Sequence, residues 1–276
     1  MKNIYIITAL TKDYFKKSMD LFKSMEKHAQ LNINGQEIIY PIVICVDFYP
    51  SKKTLSEFTR VKFVKIGIDK IKTVKEGWPL NRDKYICLES GEFLQVLELE
   101  DDGIIVHIDA DITMQRPISL SEIEMLQTYQ YRDIGMATSI YPNKTMYQES
   151  LSIMHQLSQY RINEAYPIVL KEKSCLCAGI VIATVETYKE ISDLYVSNFL
   201  KMTDIFGHHA AGQFLLNYIA HSKFNFREFS NVIHNGEWFT GTDAREENGY
   251  LMTFEAKTLF NHHKYNDSNK GNKWKY

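Results

Sequence analysis

The sequence lacks an excess of charge of either sign. Its 276 residues include 32 lysines and arginines against 34 aspartates and glutamates, which gives a formal net charge of -2. Proteins that bind duplex nucleic acid carry a strongly basic surface, because the phosphate backbone attracts cations. The balanced charge therefore argues against nucleic acid as the main partner.

Long hydrophobic runs are also missing. No segment approaches the roughly 18 apolar residues that a membrane span requires. The first ten residues lack the basic start and the small-residue cleavage site of a signal peptide. We therefore expect a cytoplasmic protein with no transmembrane segment.

Cysteines are few and scattered. Cys45, Cys87, Cys175 and Cys177 include one close pair, and its C-x-C spacing differs from that of zinc knuckles and thioredoxin-like motifs. We expect free, buried thiols in a reducing compartment.

What the first 111 residues do contain is an alternation of strand and helix patterns. Short apolar runs are typical of parallel strands that are buried on both faces. The order strand, helix, strand, helix, strand indicates right-handed βαβ units and an open, mostly parallel sheet flanked by helices. Strands are predicted at 4–10, 40–46, 61–66 and 104–108, and amphipathic helices at 11–27 and 85–99.

The remainder of the chain continues this α/β pattern. Ser119 and Glu122 form a capping-box pattern at the head of one helix. With 45% hydrophobic residues, the chain can bury one large core, and we expect a single domain over 1–276. Further helices are predicted at 119–130, 145–161, 185–201 and 213–220, and further strands at 134–139 and 177–183.

The triplet Asp109-Ala110-Asp111 follows the buried run 104–108 directly. Two carboxylates separated by one residue can turn toward a single hard divalent cation, which prefers oxygen ligands. Open α/β sheets bind ligands beyond the carboxyl ends of their strands. A D-x-D sequence alone is common in exposed turns, but its place after a buried strand favours a metal site.

A second enzyme class fits the same residues. Asp109 to Thr113 matches the D-x-D-x-T pattern of aspartyl-phosphate phosphatases, in which the first aspartate is a nucleophile. Those enzymes usually carry the motif on their first strand, whereas three predicted strands precede it here. A nucleotide-sugar pyrophosphorylase is a weaker alternative, because Thr8 to Lys12 contains no glycine-rich loop.

Five segments of the chain form a recognisable series in sequence order. They are 4–9, 104–111, 177–182, 212–217 and a tail rich in His, Lys and Trp from 262 onward. With these segments the chain resembles the GT-A glycosyltransferases, in particular glycosyltransferase family 8, the glycogenin and galactosyltransferase-like group. The resemblance covers most of the chain and implies a single GT-A domain, whose nucleotide-binding half would be 1–111 and whose sugar and acceptor half would be 112–276.

The resemblance implies a reaction and the residues that carry it. The chain would move a sugar from a nucleotide sugar, a UDP-sugar by expectation, to an acceptor hydroxyl with retention of configuration. The acceptor class stays open between a glycan, a lipid-linked sugar, a protein side chain and a modified nucleobase. Gln213 matches the family's glutamine beside the anomeric carbon, and Gln213 and Asp111 are the predicted catalytic residues.

Binding residues follow from the same resemblance. An imidazole added to two carboxylates suits manganese as well as magnesium. The predicted ligands of Mn2+ or Mg2+ are Asp109 and Asp111, with His262 or His263 as the third. His234 is the alternative candidate for this third ligand. The predicted donor contacts are Thr8, Ala9, Leu10, Asp47, Arg82, Lys84, Asp109, Ala110, Ala178, Gly179 and Lys273.

The sequence also departs from the family pattern. Cys177 stands where the family has asparagine, and Gly212 stands where it has the aspartate that usually binds sugar hydroxyls. These departures concern the identity of the donor sugar more than the reaction class, and they leave a binding-only homologue as an alternative. Inversion of configuration would require a carboxylate base, for which Glu237 and Asp243 are the nearest candidates.

Overall fold

A computed structural model gives the structure of most of the chain. Two compact units make up the protein, and each is described by itself below. The first comprises Met1–Gly67, Gly103–Thr128 and Phe229–Tyr276, and the second Ile68–Asp102 and Tyr129–Glu228. The structure describes residues 1–33, 35–67, 90–138, 145–146, 148, 172–206, 208–229, 233–234, 244–247, 250–253, 256–257 and 259–262.

Strands and helices alternate through the described ranges. The strands are β1 Ile4–Thr11, β2 Asn32–Ile33, β3 Gln36–Glu37, β4 Ile39–Val46, β5 Lys62–Ile66, β6 Ile104–Ile108, β7 Ile112–Met114, β8 Asp133–Thr138, β9 Leu176–Thr184, β10 Asn225–Glu228, β11 Ile233–His234, β12 Ala244–Glu247, β13 Tyr250–Thr253, β14 Ala256–Lys257 and β15 Phe260–His262. The helices are α1 Lys12–Phe15, α2 Met19–His28, α3 Lys52–Leu55, a 3-10 helix Glu92–Val96, α4 Leu120–Gln127, α5 Val185–Phe206 and α6 His208–Lys223.

The central sheet has seven strands and is mostly parallel. Four strands belong to the first unit and run parallel in the order β6-β1-β4-β5. Three belong to the second unit in the order β10-β8-β9, where β10 is parallel to β8 and β8 is antiparallel to β9. The predicted α/β class with a mostly parallel sheet and flanking helices is confirmed.

The core of the first unit forms because its strands are apolar along their whole length. Seven of the eight residues of β1 are buried. Helix α2 packs an aromatic cluster against the sheet, in which the ring centroids of Phe22 and Phe63 lie 5.5 Å apart. Phe58 stands edge-on to both of these rings. Burial of such side chains contributes roughly 1.5–3 kcal/mol each to the free energy of unfolding.

Two predicted helices are corrected by the structure. The helix predicted from Thr11 is interrupted between α1 and α2, where the Ser18 hydroxyl and N–H both donate to the Tyr14 carbonyl, each at 3.0 Å. Such side-chain bonding competes with the regular helix ladder. The helix predicted at 85–99 agrees with the structure at Ser90 but is wrong from Gly91 onward, because Gly91 takes the left-handed conformation, with φ of 70°. Only the 3-10 helix follows it.

Other predictions have mixed outcomes. The capping box is confirmed: Ser119 accepts from the Glu122 N–H, and the Glu122 carboxylate accepts from the Ser119 N–H. Cys45, Cys175 and Cys177 are buried and do not form disulfides, as expected. The helix predicted at 145–161 lies almost wholly outside the described residues. No helix in the described part of the chain is long and apolar enough to span a membrane. The single-domain organisation stays a prediction.

Candidate active site

The acidic turn, defined here as Asp109 to Asp111, links β6 to β7. All five residues of β6 are buried, so the strand fixes where the turn begins. The Ile112 N–H donates to the Asp109 carbonyl at 3.1 Å and closes the turn. Asp111 is 6% exposed, whereas Asp109 and Ala110 are partly exposed. Two carboxylates are thus held by main-chain geometry directly beyond a sheet strand.

The turn lies at the switch point of the first unit's strands. From β1 the chain proceeds to β4 and β5 on one side, and β6 then pairs with the other side of β1. Ligands of open α/β sheets bind at the carboxyl end of such a reversal. The parallel register places His107 beside Ile7, so the residues that follow each of them reach the same edge of the sheet.

The predicted nucleoside contacts lie at this same edge. Thr8, Ala9 and Leu10 are buried in β1, so their side chains serve the core first. The Thr8 hydroxyl is nevertheless buried with no hydrogen-bond partner among the described residues. Asp47 follows β4, is exposed, and has a φ of 61°. Backbone strain in a residue other than glycine often occurs at functional sites, and aspartate tolerates this conformation better than most residues.

The main chain of His262 lies beside the acidic turn. Strand β15 runs antiparallel to β7, and its register places His262 opposite Ile112, the residue directly after Asp111. Strand β11 lies on the far side of β15, where its His234 is opposite Asn261. The strand order β11-β15-β7 therefore places His262 one strand from the acidic turn and His234 two strands from it.

Helix α2 holds strand β7, which follows the acidic turn, in place. The Ser24 hydroxyl donates to the Leu21 carbonyl at 2.7 Å and accepts the Met114 N–H of β7 at 3.0 Å. Directly after the same end of β7, the Gln115 N–H donates to the Leu259 carbonyl at 2.8 Å. No local pattern predicts this role for Ser24, because it depends on a contact between residues 90 positions apart.

Asp109, Asp111 and His262 are the types of residue that bind a hard divalent cation. Carboxylates are the ligands that Mg2+ and Mn2+ prefer, and an imidazole is accepted by Mn2+. Among the side chains that the structure describes, no three His, Cys, Asp or Glu residues form a group that could hold a metal ion. His107, two residues before Asp109, is buried in β6, and burial lowers the pKa of its imidazole to about 4.

Gln213 belongs to the second unit, on helix α6. Its amide Nε2 donates to the Cys175 Sγ at 3.8 Å. Cys175 precedes β9, the strand on which Ala178 is partly exposed and Gly179 is buried. The second unit therefore brings Gln213 to the start of the strand that carries both of these predicted donor contacts.

Asn217 lies one helical turn after Gln213 and is fully buried. Its Oδ1 accepts the Leu176 N–H at 2.6 Å, and its Nδ2 donates to the Leu176 carbonyl at 2.8 Å. The same Nδ2 donates to the Gln213 carbonyl at 2.8 Å. Sequence reasoning missed Asn217 as a functional residue, although it closes the segment 212–217 on which the family resemblance rests.

Several predicted residues lie outside the described part of the chain. They are Arg82, Lys84, His263 and Lys273, together with the alternative bases Glu237 and Asp243. Their roles stay predictions.

Comparison with known proteins identifies the fold. No protein-family profile matches the sequence, and no curated protein matches it. Mouse xyloside xylosyltransferase 1, in its apo form, superposes with a TM-score of 0.56 at 14% identity, covering 98% of this chain and 99% of that chain. The galactosyltransferase LgtC, in complex with donor and acceptor sugar analogs, superposes with a TM-score of 0.56 at 13% identity, covering 94% and 86%. This chain has the GT-A glycosyltransferase fold.

A second LgtC structure, of an active-site glutamine-to-glutamate mutant, gives the same TM-score of 0.56 at 12% identity and the same coverage. The GT-A fold agrees with the resemblance drawn from the sequence motifs. It does not favour the aspartyl-phosphate phosphatase alternative.

Proposed function

We propose that the chain is a metal-dependent glycosyltransferase that uses a nucleotide-sugar donor. The observation that carries the proposal is the acidic turn. Its two aspartates directly follow the buried parallel strand β6 at the switch point of the sheet, and β15, which ends at His262, pairs with β7 directly after them. The GT-A fold supports the same conclusion, because its solved examples include a xylosyltransferase and a galactosyltransferase.

Asp109 and Asp111 would hold the cation, with His262 or the following His263 as the third ligand. A bound divalent cation would supply Lewis acidity and neutralise charge on the departing diphosphate. The partial exposure of Asp109 and the burial of Asp111 support this arrangement, since Asp109 is accessible to a ligand while Asp111 is shielded from water. Manganese is the preferred ion because the set mixes oxygen and nitrogen.

The nucleoside of a UDP-sugar would bind along the ends of β1 and β4. Thr8, Ala9, Leu10 and Asp47 would contact the uridine, and the buried Thr8 hydroxyl offers a hydrogen-bond partner that no described residue uses. Arg82, Lys84 and Lys273 would meet the phosphate oxygens as positive charges. Ala110, Ala178 and Gly179 present small surfaces that let the donor approach the main chain.

Gln213 would act at the anomeric carbon with retention of configuration. An amide is a weak nucleophile, so its role would be to orient and stabilise an oxocarbenium-like centre while the acceptor hydroxyl attacks from the face that the diphosphate leaves. Front-face attack fits this role better than a covalent intermediate. A glutamine belongs to the active site of LgtC, and this supports a glutamine in such a role here.

Donor turnover tests this proposal directly. The chain would be incubated with a panel of UDP-sugars in Mn2+, in Mg2+ and in EDTA, and released UDP would be measured. We expect hydrolysis of at least one donor that depends on the cation, and transfer to an acceptor whose product keeps the donor's anomeric configuration by NMR. UDP binding with no turnover of any donor would contradict an enzyme and favour a binding-only homologue. An inverted product would contradict the role of Gln213.

A further inference from the structure

The side chain of Asn217 makes three hydrogen bonds to main-chain groups, which belong to Gln213 and to Leu176, the residue after the Cys175 that Gln213 contacts. Two of them engage the N–H and the carbonyl of Leu176, the first residue of β9, at 2.6 and 2.8 Å. The third reaches back one helical turn to the carbonyl of Gln213 at 2.8 Å. One carboxamide thus links α6 to β9 by bonds to both elements.

The burial of Asn217 makes this linkage rigid. Its side chain is 0% exposed, and Leu176 is also fully buried. Water therefore does not compete for these groups, and a buried polar network with its bonds made holds one arrangement strongly. The Gln213 amide is held against the same segment, because its Nε2 donates to Cys175, the residue before Leu176.

We propose that Asn217 is a positioning residue for the glycosyl transfer, an inference that rests on the proposed function. Its carboxamide fixes the spacing between Gln213 and the start of β9, which carries Ala178 and Gly179. Gln213 would touch the reacting carbon, whereas Asn217 acts only by holding Gln213 in place against β9. Catalysis depends steeply on such spacing, since a displacement of about 1 Å can cost about 100-fold in rate.

The chain offers a matched control for an asparagine of this kind. Asn198 on α5 also donates its Nδ2 to the carbonyl four residues earlier, that of Leu194, at 2.8 Å. No described bond of Asn198 reaches Gln213 or β9. Asn198→Ala therefore removes the same local helix bond without the link between α6 and β9.

The experiment compares kcat and donor KM for donor hydrolysis in the full chain. The proteins are wild type, Asn217→Ala, Asn198→Ala, Gln213→Ala and the double variant of Asn217 and Gln213, with the folded fraction measured by circular dichroism. We expect Asn217→Ala to lower kcat per folded molecule about 10- to 100-fold, with donor KM changed less. The double variant should match Gln213→Ala alone, because residues that act through one group are not additive. Asn198→Ala should keep the wild-type kcat.

A lower Tm with an unchanged kcat per folded molecule would overturn the inference, because a purely structural role predicts that result. The inference would also be overturned if the loss of kcat in the double variant equalled the product of the losses in the two single variants. If Asn217→Ala does not fold, Asn217→Asp keeps the shape and the acceptor for the Leu176 N–H but removes the amide donor, and the same fall in kcat is expected. A wild-type chain with no turnover would instead contradict the proposed function, and the inference would fall with it.

Discussion

The acidic turn and the Gln213 region are held in place by different kinds of bonds. Main-chain hydrogen bonds set the acidic turn: β6 pairs with β1, β7 pairs with β15, and the Ile112 N–H closes the turn on Asp109. Side-chain bonds set Gln213, through Asn217 and Cys175. A region held by main-chain hydrogen bonds tolerates substitution of neighbouring side chains, whereas a region held by side-chain hydrogen bonds does not. The two regions should therefore respond differently to mutation.

The largest effect is expected at the acidic turn itself. Asp111→Asn keeps the shape of the side chain but removes one negative charge from the metal site. We expect donor turnover to fall by about 1,000-fold or more, because charge stabilisation of the leaving group is usually the largest catalytic contribution. Steady-state hydrolysis of the donor in Mn2+ measures this loss.

Asp101→Asn is the matched control for that change. Asp101 precedes the amino end of β6 and pairs with Lys189 at 2.7 Å, with its own side chain 72% exposed. Exposed ion pairs contribute about 0–1 kcal/mol to stability, so this variant should retain wild-type turnover. Equal losses in both variants would mean that any carboxylate lost near β6 harms the protein, and the metal assignment would fail.

The next effect is expected at Gln213. Gln213→Ala removes the amide proposed to stabilise the anomeric centre, and we expect kcat to fall about 100-fold, as when one oxyanion-hole donor is removed. Metal-dependent binding of UDP should be retained, because the acidic turn is untouched. A calorimetric titration with UDP in Mn2+ checks the second part, and lost UDP binding would contradict separate roles for the two regions.

The sequence predicted one of these regions better than the other. The strand ahead of Asp109 could be predicted from an apolar run of five residues, and the position of the acidic turn follows from parallel-sheet geometry. The main-chain proximity of His262 depends on the pairing of β15 with β7, which no local pattern encodes. Only a resemblance to a known family suggested the histidine pair.

The role of Asn217 could not be predicted for a related reason. Its partner Leu176 lies 41 positions away in the sequence, and an asparagine in a helix is compatible with many environments. The helix predicted at 85–99 was wrong from Gly91 onward because helical spacing does not reveal that Gly91 takes a left-handed conformation against the ring of Tyr188. Tertiary contacts overrode the local pattern there.

A third prediction sharpens the choice of metal ligand. His262→Ala should weaken Mn2+ binding by roughly 10-fold or more, a loss typical even of groups that only support a ligand. His234→Ala should leave the affinity for Mn2+ unchanged, because β11 lies one strand further from the acidic turn. Titration of the Mn2+ signal by electron paramagnetic resonance measures both affinities. A loss in His234→Ala alone would reverse the assignment.

The smallest effect is expected for substitution of Glu122 on α4, the helix that follows β7, and it concerns stability rather than turnover. Burial alone would raise the pKa of the Glu122 carboxyl, but hydrogen bonds from Arg116 and Ser119 and the charge of Arg116 hold that pKa below its ordinary value. A carboxyl with a lowered pKa stabilises the fold above its unfolded-state pKa, and this stabilisation disappears as pH falls through the folded-state pKa.

Glu122→Gln should therefore lower the free energy of unfolding by about 1 kcal/mol at pH 7. The difference from wild type should shrink as pH falls below the ordinary glutamate pKa of about 4.3, and it should be small at about pH 2, where the carboxyl of folded Glu122 is protonated. Urea unfolding at the two pH values measures this change. Turnover per folded molecule should stay at the wild-type level, and a large loss would show that the acidic turn depends on more than its main-chain frame.

The central claim is that Asp109 and Asp111 bind a cation that binds the donor's diphosphate. Calorimetric titration of UDP into the wild-type chain, with Mn2+ and then with EDTA, tests it most directly, alongside a chain that carries Asp109→Asn and Asp111→Asn together. We predict that the UDP affinity of the wild type falls at least about 10-fold in EDTA, and that the double variant binds UDP weakly in both conditions. UDP affinity that is equal in Mn2+ and EDTA, or unchanged in the double variant, would contradict the account.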